Sequence, residues 1–179
     1  MKIRIENIGE CANYLIQLFY KTEQRYSCTR TKIGKLLSIL AFKYAVQDKE
    51  YIFPYEIYRY PECGTLIVWV QANVDRDIYF TYPYDNSKKR ISRNELNENV
   101  DIPDCYKKIS SLFPKVKDDI EDVFFAFGAY SQVDLSEELN PIVEYEGICL
   151  PDGSINLDNI VFLHDKLPGN KVLNYIFNR

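Results

Sequence analysis

Residues 29–44 read TRTKIGKLLSILAFKY, and in this stretch a helical period coincides with a helix start signal. Thr29 is a residue type that caps helix N-termini, because its hydroxyl can accept a hydrogen bond from a free backbone N–H. Apolar side chains then form one stripe of a helix; its members are Ile33, Leu36, Leu37, Leu40, Ala41 and Tyr44. A second stripe, roughly opposite, consists of Ile39, Phe42 and Val46. Only a helix covered on two sides tolerates both stripes, so the stretch predicts a helix at the centre of the fold.

The whole chain predicts an α+β fold, a helix-dominated single domain over residues 1–179 in which a small antiparallel sheet of about three strands flanks the central buried helix. The strand segments alternate in polarity or are rich in β-branched and aromatic residues; they are residues 55–60, 66–71 and 78–82. Helical spacing or capping residues mark further helices at residues 10–23, 116–127, 131–140, 157–164 and 170–177. Pro-Asp-Gly at residues 151–153 predicts a turn.

The bulk composition excludes several classes of function. The chain carries 26 acidic and 22 basic side chains and a formal net charge of −4, whereas a dedicated nucleic-acid binder normally shows a basic excess. No apolar run approaches the roughly 20 residues that a membrane span requires. An odd number of cysteines, without a C-x-x-C pair or a signal peptide, predicts free thiols in a reducing compartment. We therefore expect a cytoplasmic protein that binds neither nucleic acid nor membrane.

The aromatic content is high, with 15 Tyr and 10 Phe. Tyrosine combines an apolar ring with a hydroxyl, so a tyrosine-rich surface suits contacts with another protein. The alternative interpretation is a core that uses Tyr and Phe as filler, since large aromatic side chains are mostly buried.

Residue types that carry catalysis or bind metals are sparse. His164 is the only histidine, so a nucleophilic Cys–His site would have to use it with one of five thiols, with Asp165 as a possible orienting carboxylate. One histidine and scattered cysteines do not supply a zinc set. The acidic run at residues 118–122 is expected to be a solvated helix surface. We therefore expect no enzyme activity, no metal and no cofactor.

The order of residue types in the central stretch carries a resemblance. A threonine is followed by a basic residue and an aliphatic one, then by Lys35-Leu36-Leu37, and then by an aromatic residue and a tyrosine. Further along come Ile52-Phe53, the strand Glu56-Ile57-Tyr58-Arg59-Tyr60, and later Leu135-Ser136, Asn140-Pro141 and Gly153. In this order the chain resembles the Panacea family of bacterial antitoxins and prophage-associated proteins over most of its length.

The resemblance implies a single Panacea-like domain that neutralises a toxin by direct contact or hands a protein to a protease as an adaptor. The matching positions are Lys32, Lys35, Tyr58, Arg59 and Tyr60, and the exposed members among them are expected to contact the protein partner, a toxin or a protease substrate. Alternatively, they pack the sheet against the central helix, with the lysine stems lying over apolar surface. Two other functions stay open: an immunity or inhibitor module acting between phage and host, and an enzyme that relies on His164.

Overall fold

The computed structural model describes residues 5–22, 27–48, 52, 57–60, 64–67, 84–85, 90–91, 111 and 114–178. Within these residues the fold is helix-dominated, as predicted. In chain order the helices are α1 (Ile5–Lys21), α2 (Arg30–Gln47), α3 (Pro114–Phe127), α4 (Gln132–Val143), a 3-10 helix (Leu157–Phe162) and α5 (Lys171–Phe177). The strands are β1 (Ile57–Tyr60), β2 (Gly64–Ile67), β3 (Tyr84–Asp85) and β4 (Arg90–Ile91). No helix among the described residues is both long and apolar enough to cross a bilayer.

Helix α2 lies at the centre of the described fold, as the sequence predicts. It contacts α1, α3, α4, α5, the 3-10 helix and β2. Thr29 caps the helix, because its Oγ1 accepts a hydrogen bond from Lys32 N at 3.1 Å. The first apolar stripe is wholly buried, and the second is buried except for half-buried Val46. Since each buried Leu or Ile side chain stabilises a fold by about 1.5–3 kcal/mol, the two stripes of α2 form a major part of the core.

The strands form two separate antiparallel pairs. β1 pairs with β2 so that Tyr58 lies opposite Leu66, and β3 pairs with β4. A single sheet of three strands is not shown, because the strand predicted at residues 78–82 lies outside the described residues. The single domain over residues 1–179 likewise stays a prediction.

A tight turn from the C-terminal part of the chain lies along the other edge of β1. Arg59 N donates to Gly153 O at 2.9 Å, and Ile155 N donates to Ile57 O at 2.8 Å. The predicted turn at residues 151–153 is therefore confirmed. Gly153 has a φ of 87°, a left-handed conformation in which a side chain would be strained. The backbone of β1 is thus hydrogen-bonded on both sides.

Helix α3 packs its predicted apolar face against α1 and α2, and one acidic residue shares that face. Asp119 is buried, and its carboxylate accepts hydrogen bonds from Lys43 Nζ at 2.5 Å and from Tyr44 OH at 2.7 Å. Lys115 Nζ lies 3.5 Å from the same carboxylate. Burial, and then the hydrogen bond to Asp119, raise the pKa of Tyr44, so its hydroxyl stays a donor. The expectation of a solvated acidic run at residues 118–122 is wrong for Asp119, because α2 supplies its compensating groups.

Two later helices differ from prediction in length. Ser131 caps α4 through a capping box, as predicted, but the helix continues past Asn140 with Pro141 inside it. Proline removes one backbone donor there, and Glu144 N still donates to Asn140 O at 2.8 Å. The next predicted helix is present as the 3-10 helix and ends at Phe162.

Replacing Asp119 with alanine is expected to lower the free energy of unfolding by about 3 kcal/mol. Buried Tyr44 would lose its acceptor, and half-buried Lys43 would keep only the exposed Asp122 carboxylate, 3.7 Å away. Urea denaturation followed by circular dichroism measures the loss. Asp118→Ala is the matched control, since this side chain is exposed and its removal should change stability by at most about 0.5 kcal/mol. Equal losses in the two variants would show that Asp119 does not hold α2 and α3 together.

Candidate binding surfaces

Lys32 is enclosed within the fold, with 1% of its surface exposed. Its Nζ donates a hydrogen bond to Ser27 Oγ at 2.9 Å and lies 4.9 Å from the centroid of the Phe19 ring. Burial lowers the pKa of Lys32 to about 8, and electrostatic interaction with Cys28 and Asp134 partly offsets this shift. At neutral pH the side chain is therefore a charged group inside the core, held by a hydroxyl and an aromatic face.

Lys35 is buried to the same extent and joins α2 to α4. Its Nζ donates to the carbonyl oxygen of Gln132 at 3.4 Å and to the hydroxyl of Ser136. The Ser136 hydroxyl in turn donates to the Gln132 carbonyl at 2.9 Å. Both Lys32 and Lys35 thus make contacts between neighbouring segments, and a partner would reach their amines only if this packing opened.

The other predicted binding residues lie on β1. Tyr58 is half-buried, and a methyl group at Gly153 would lie 3.7 Å from its Cδ1 atom, so the ring lies along the turn. Arg59 is exposed, and its guanidinium forms an ion pair with Glu144, which follows α4. The side chain of Tyr60 lies outside the described part of the chain. Of the described candidates, Tyr58 and Arg59 are therefore the accessible ones.

We give the name β1 surface to the accessible side chains of β1 and of the segments that an ion pair or backbone hydrogen bonds join to it. Its members are Tyr58, Arg59, Glu144, Tyr145 and Leu150. An antiparallel bridge joins Tyr58 to Ser154, and Leu150 N donates to Ser154 O at 2.8 Å. The β1 surface therefore stands on backbone that is tied to β2 on one side and to this turn on the other.

The structure separates the predicted binding residues into two groups. Lys35 contacts the first residue of α4, Gln132, whereas Arg59 contacts its C-cap, Glu144. With a rise of about 1.5 Å per residue, the distance from Gln132 to Glu144 along the helix is about 18 Å. The predicted residues therefore do not form one continuous contact site.

His164 lies on the surface and stacks on Phe177, with ring centroids 4.7 Å apart. Its Nδ1 lies 3.5 Å from a carboxylate oxygen of exposed Asp165, an arrangement allowed by the turn that follows the 3-10 helix. Cys11 is buried, and burial raises its pKa to about 12, which disfavours the thiolate. In the described part of the chain, His164 forms no hydrogen bond to a cysteine, and no group of three His, Cys, Asp or Glu side chains could hold a metal ion.

A pocket that the sequence analysis missed lies where α4 meets the end of α3 and the start of α5; we call it the corner pocket. Its volume is about 340 Å³, and its lining residues are Ala129, Tyr130, Asp134, Glu137, Glu138 and Lys171. Lys171 Nζ lies 5.2 Å from the centroid of the Tyr130 ring and 3.7 Å from Glu138 Oε1. The spacing of Asp134, Glu137 and Glu138, which places three carboxylates on one helix face, is the signal that could have located it.

Comparison of the chain with protein-family models, with curated proteins and with solved structures found no match. The Panacea resemblance therefore rests on the residues quoted above, and what it implies stays a prediction.

Lys32→Met is expected to change how stability depends on pH. The pKa of Lys32 is about 8 in the folded chain, against 10.5 for a free side chain, so the folded state binds fewer protons between these values. The native lysine therefore gains stability as pH rises, by about 1 kcal/mol between about pH 7 and about pH 9, and loses that gain as pH falls. Urea titrations at both pH values measure the difference between native chain and variant.

Titration of buried thiols and tyrosines affects the native chain and the Lys32→Met variant alike, so the difference isolates Lys32. Lys166→Met serves as the control, because that side chain is exposed and should give the same difference at both pH values. A pH-independent difference for Lys32→Met would contradict the lowered pKa.

Proposed function

We propose that this chain is a protein-binding protein of the antitoxin-like or phage-associated kind, and that it neutralises a toxin by direct contact through the β1 surface. The observation that carries the proposal is the exposed guanidinium of Arg59, which stands on a strand whose backbone is paired at both edges and forms an ion pair with Glu144, the residue before exposed Tyr145. The resemblance to the Panacea family supports it independently, since Tyr58 and Arg59 are among the matching positions.

The chemistry of the β1 surface suits recognition of a protein. Arg and Tyr are among the residue types most enriched where binding energy concentrates in interfaces. The ion pair between Arg59 and Glu144 is solvent-exposed, and such pairs contribute about 0–1 kcal/mol. The guanidinium can therefore exchange Glu144 for a carboxylate of the partner with little loss. Because hydrogen bonds fix β1 on both sides, binding also orders little backbone.

The same surface would serve two related functions. A proteolytic adaptor would use it to hold a protease substrate, and an immunity or inhibitor module would use it to hold another phage or host protein. These functions differ in the identity of the partner, which mass spectrometry of proteins co-purified from the native host would reveal. We place each of them in the cytoplasm, where free thiols persist, without nucleic acid, membrane or cofactor.

An enzyme that relies on His164 would be a different class of function. Its imidazole is exposed beside Asp165 and stacks on Phe177, so an alanine substitution should leave the core intact. We expect His164→Ala to keep full protection against the toxin in a growth assay. Loss of protection in a folded His164→Ala variant would favour the enzyme.

Arg59→Glu is expected to abolish protection when the chain is co-expressed with the toxic product of a neighbouring gene. The reversed charge would repel both Glu144 and the partner's carboxylate, so capture of that product should weaken by about tenfold or more. Growth of the co-expressing cells and a pull-down with purified chain measure the two effects.

Lys166→Glu makes the same change of charge at an exposed position outside the β1 surface and should protect as the native chain does. Full protection by a folded Arg59→Glu variant would show that the β1 surface is not the contact. If the native chain neither protects against any neighbouring product nor captures one, the proposed function is wrong.

A further inference from the structure

Two large apolar side chains are exposed on either side of the connection between α3 and α4. Phe125, in the last turn of α3, is 75% exposed, and Val133, in the first turn of α4, is 65% exposed. The corner pocket lies at this connection, because Ala129, Tyr130 and Asp134 line it. Phe125 precedes the lining residue Ala129 by four positions and Val133 precedes Asp134 by one, so each apolar side chain is close in sequence to the pocket lining. Apolar side chains rimmed by polar ones are typical of a protein-docking surface.

The corner pocket already accommodates an ammonium group. The ring of Tyr130 faces Lys171 Nζ at a distance that allows cation–π attraction, and Glu138 supplies a carboxylate. Interaction with the Tyr130 side chain, followed by the charge of Glu138, raises the pKa of Lys171. The second oxygen of Glu138 accepts from Lys171 N at 2.7 Å, which fixes the carboxylate in place. The pocket thus stabilises a cation with one group from the connection between α3 and α4 and one from α4.

The lining holds more negative charge than Lys171 neutralises. Asp134, Glu137 and Glu138 provide three carboxylates against this one ammonium. Hydrogen bonds from Ser131 lower the pKa of Asp134, so this group is ionised at neutral pH. Glu137 is exposed and forms no ion pair with a lysine or arginine of the described residues. The remaining charge favours a cationic occupant over a neutral or anionic one.

We propose that Phe125, Val133 and the corner pocket form a docking surface for a basic, amphipathic segment of a partner protein. A lysine or arginine of that segment enters the pocket beside Glu137 and the Tyr130 ring, while its apolar side chains cover Phe125 and Val133. The inference rests on the proposed function in that the ligand is a protein. It goes further because it specifies that the partner segment is positively charged and that it contacts a second surface, at the opposite end of α4 from Arg59.

The test measures binding of a fluorescently labelled amphipathic peptide of leucine and lysine to the full chain by anisotropy. The same peptide with glutamate in place of lysine is the second probe, and it should not bind. Glu137→Lys and Phe125→Ser should each weaken binding of the lysine peptide by about fivefold or more. Glu146→Lys and Phe162→Ser make the same changes at exposed positions elsewhere and should keep affinity within about twofold.

Equal weakening by Glu137→Lys and Glu146→Lys would show attraction to the overall charge of −4 and would overturn the docking surface. Binding of the glutamate peptide, or no binding of the lysine peptide to the native chain, would overturn it too. The peptide assay needs no toxin, so the two proposals can fail separately. If protection against the toxin depends on Arg59 but peptide binding does not depend on Glu137, only the proposed docking surface is wrong. If peptide binding depends on Glu137 but the chain protects against no toxin, only the proposed function is wrong.

Discussion

The enclosure of α2 is the constraint on which the rest of the structure depends. A helix without a solvated face must find a partner inside the fold for each polar group, because an unpaired buried group costs about 1–3 kcal/mol. Five of its polar side chains reach four surrounding segments. Lys32 contacts the segment before α2, Lys35 the start of α4, Lys43 and Tyr44 the Asp119 carboxylate of α3, and Gln47 a backbone carbonyl of α5. Hydrogen bonds are directional, so they fix the position of each of these neighbours along α2. Apolar packing is non-directional and fixes that position less closely.

Features with a periodic or capping signal in the chain could be predicted, whereas features made by distant elements could not. Spacing alone gives the two apolar stripes of α2 and its cap. Asp119 carries no local sign of burial, because Lys43 and Tyr44 precede it by 76 and 75 positions. The sequence did contain a signal for the burial of Lys32 and Lys35, because a helix that is apolar on two faces leaves its lysines little solvated surface. Because charged side chains are mostly exposed in proteins, the charge of these two lysines favoured the opposite interpretation.

The two exposed surfaces differ in how far the sequence could locate them. The family resemblance identifies Arg59 as a contact residue. It does not predict that β1 is paired with the turn at residues 151–153, because this turn comes about ninety positions later. The corner pocket combines residues of three elements, and only the carboxylates of α4 leave a local pattern. One surface offers a guanidinium beside Glu144, and the other offers a surplus of carboxylates at residues 134–138, about 9–15 Å away along α4. A partner carrying the complementary pair of charges at that separation would be favoured over proteins that match one surface alone.

The order of elements along the chain matters for synthesis of the protein. Helix α2 is complete by Gln47, whereas α3, α4, the 3-10 helix and α5, which lie against it, all begin after residue 113. A nascent polypeptide leaves the ribosome from its N-terminus, so α2 is made long before these helices can cover it. During that interval the sides of α2 that these helices cover are exposed, and Lys43 and Tyr44 lack the Asp119 carboxylate. We therefore expect the yield of folded protein in a cell to depend on how soon residues 114–177 follow α2.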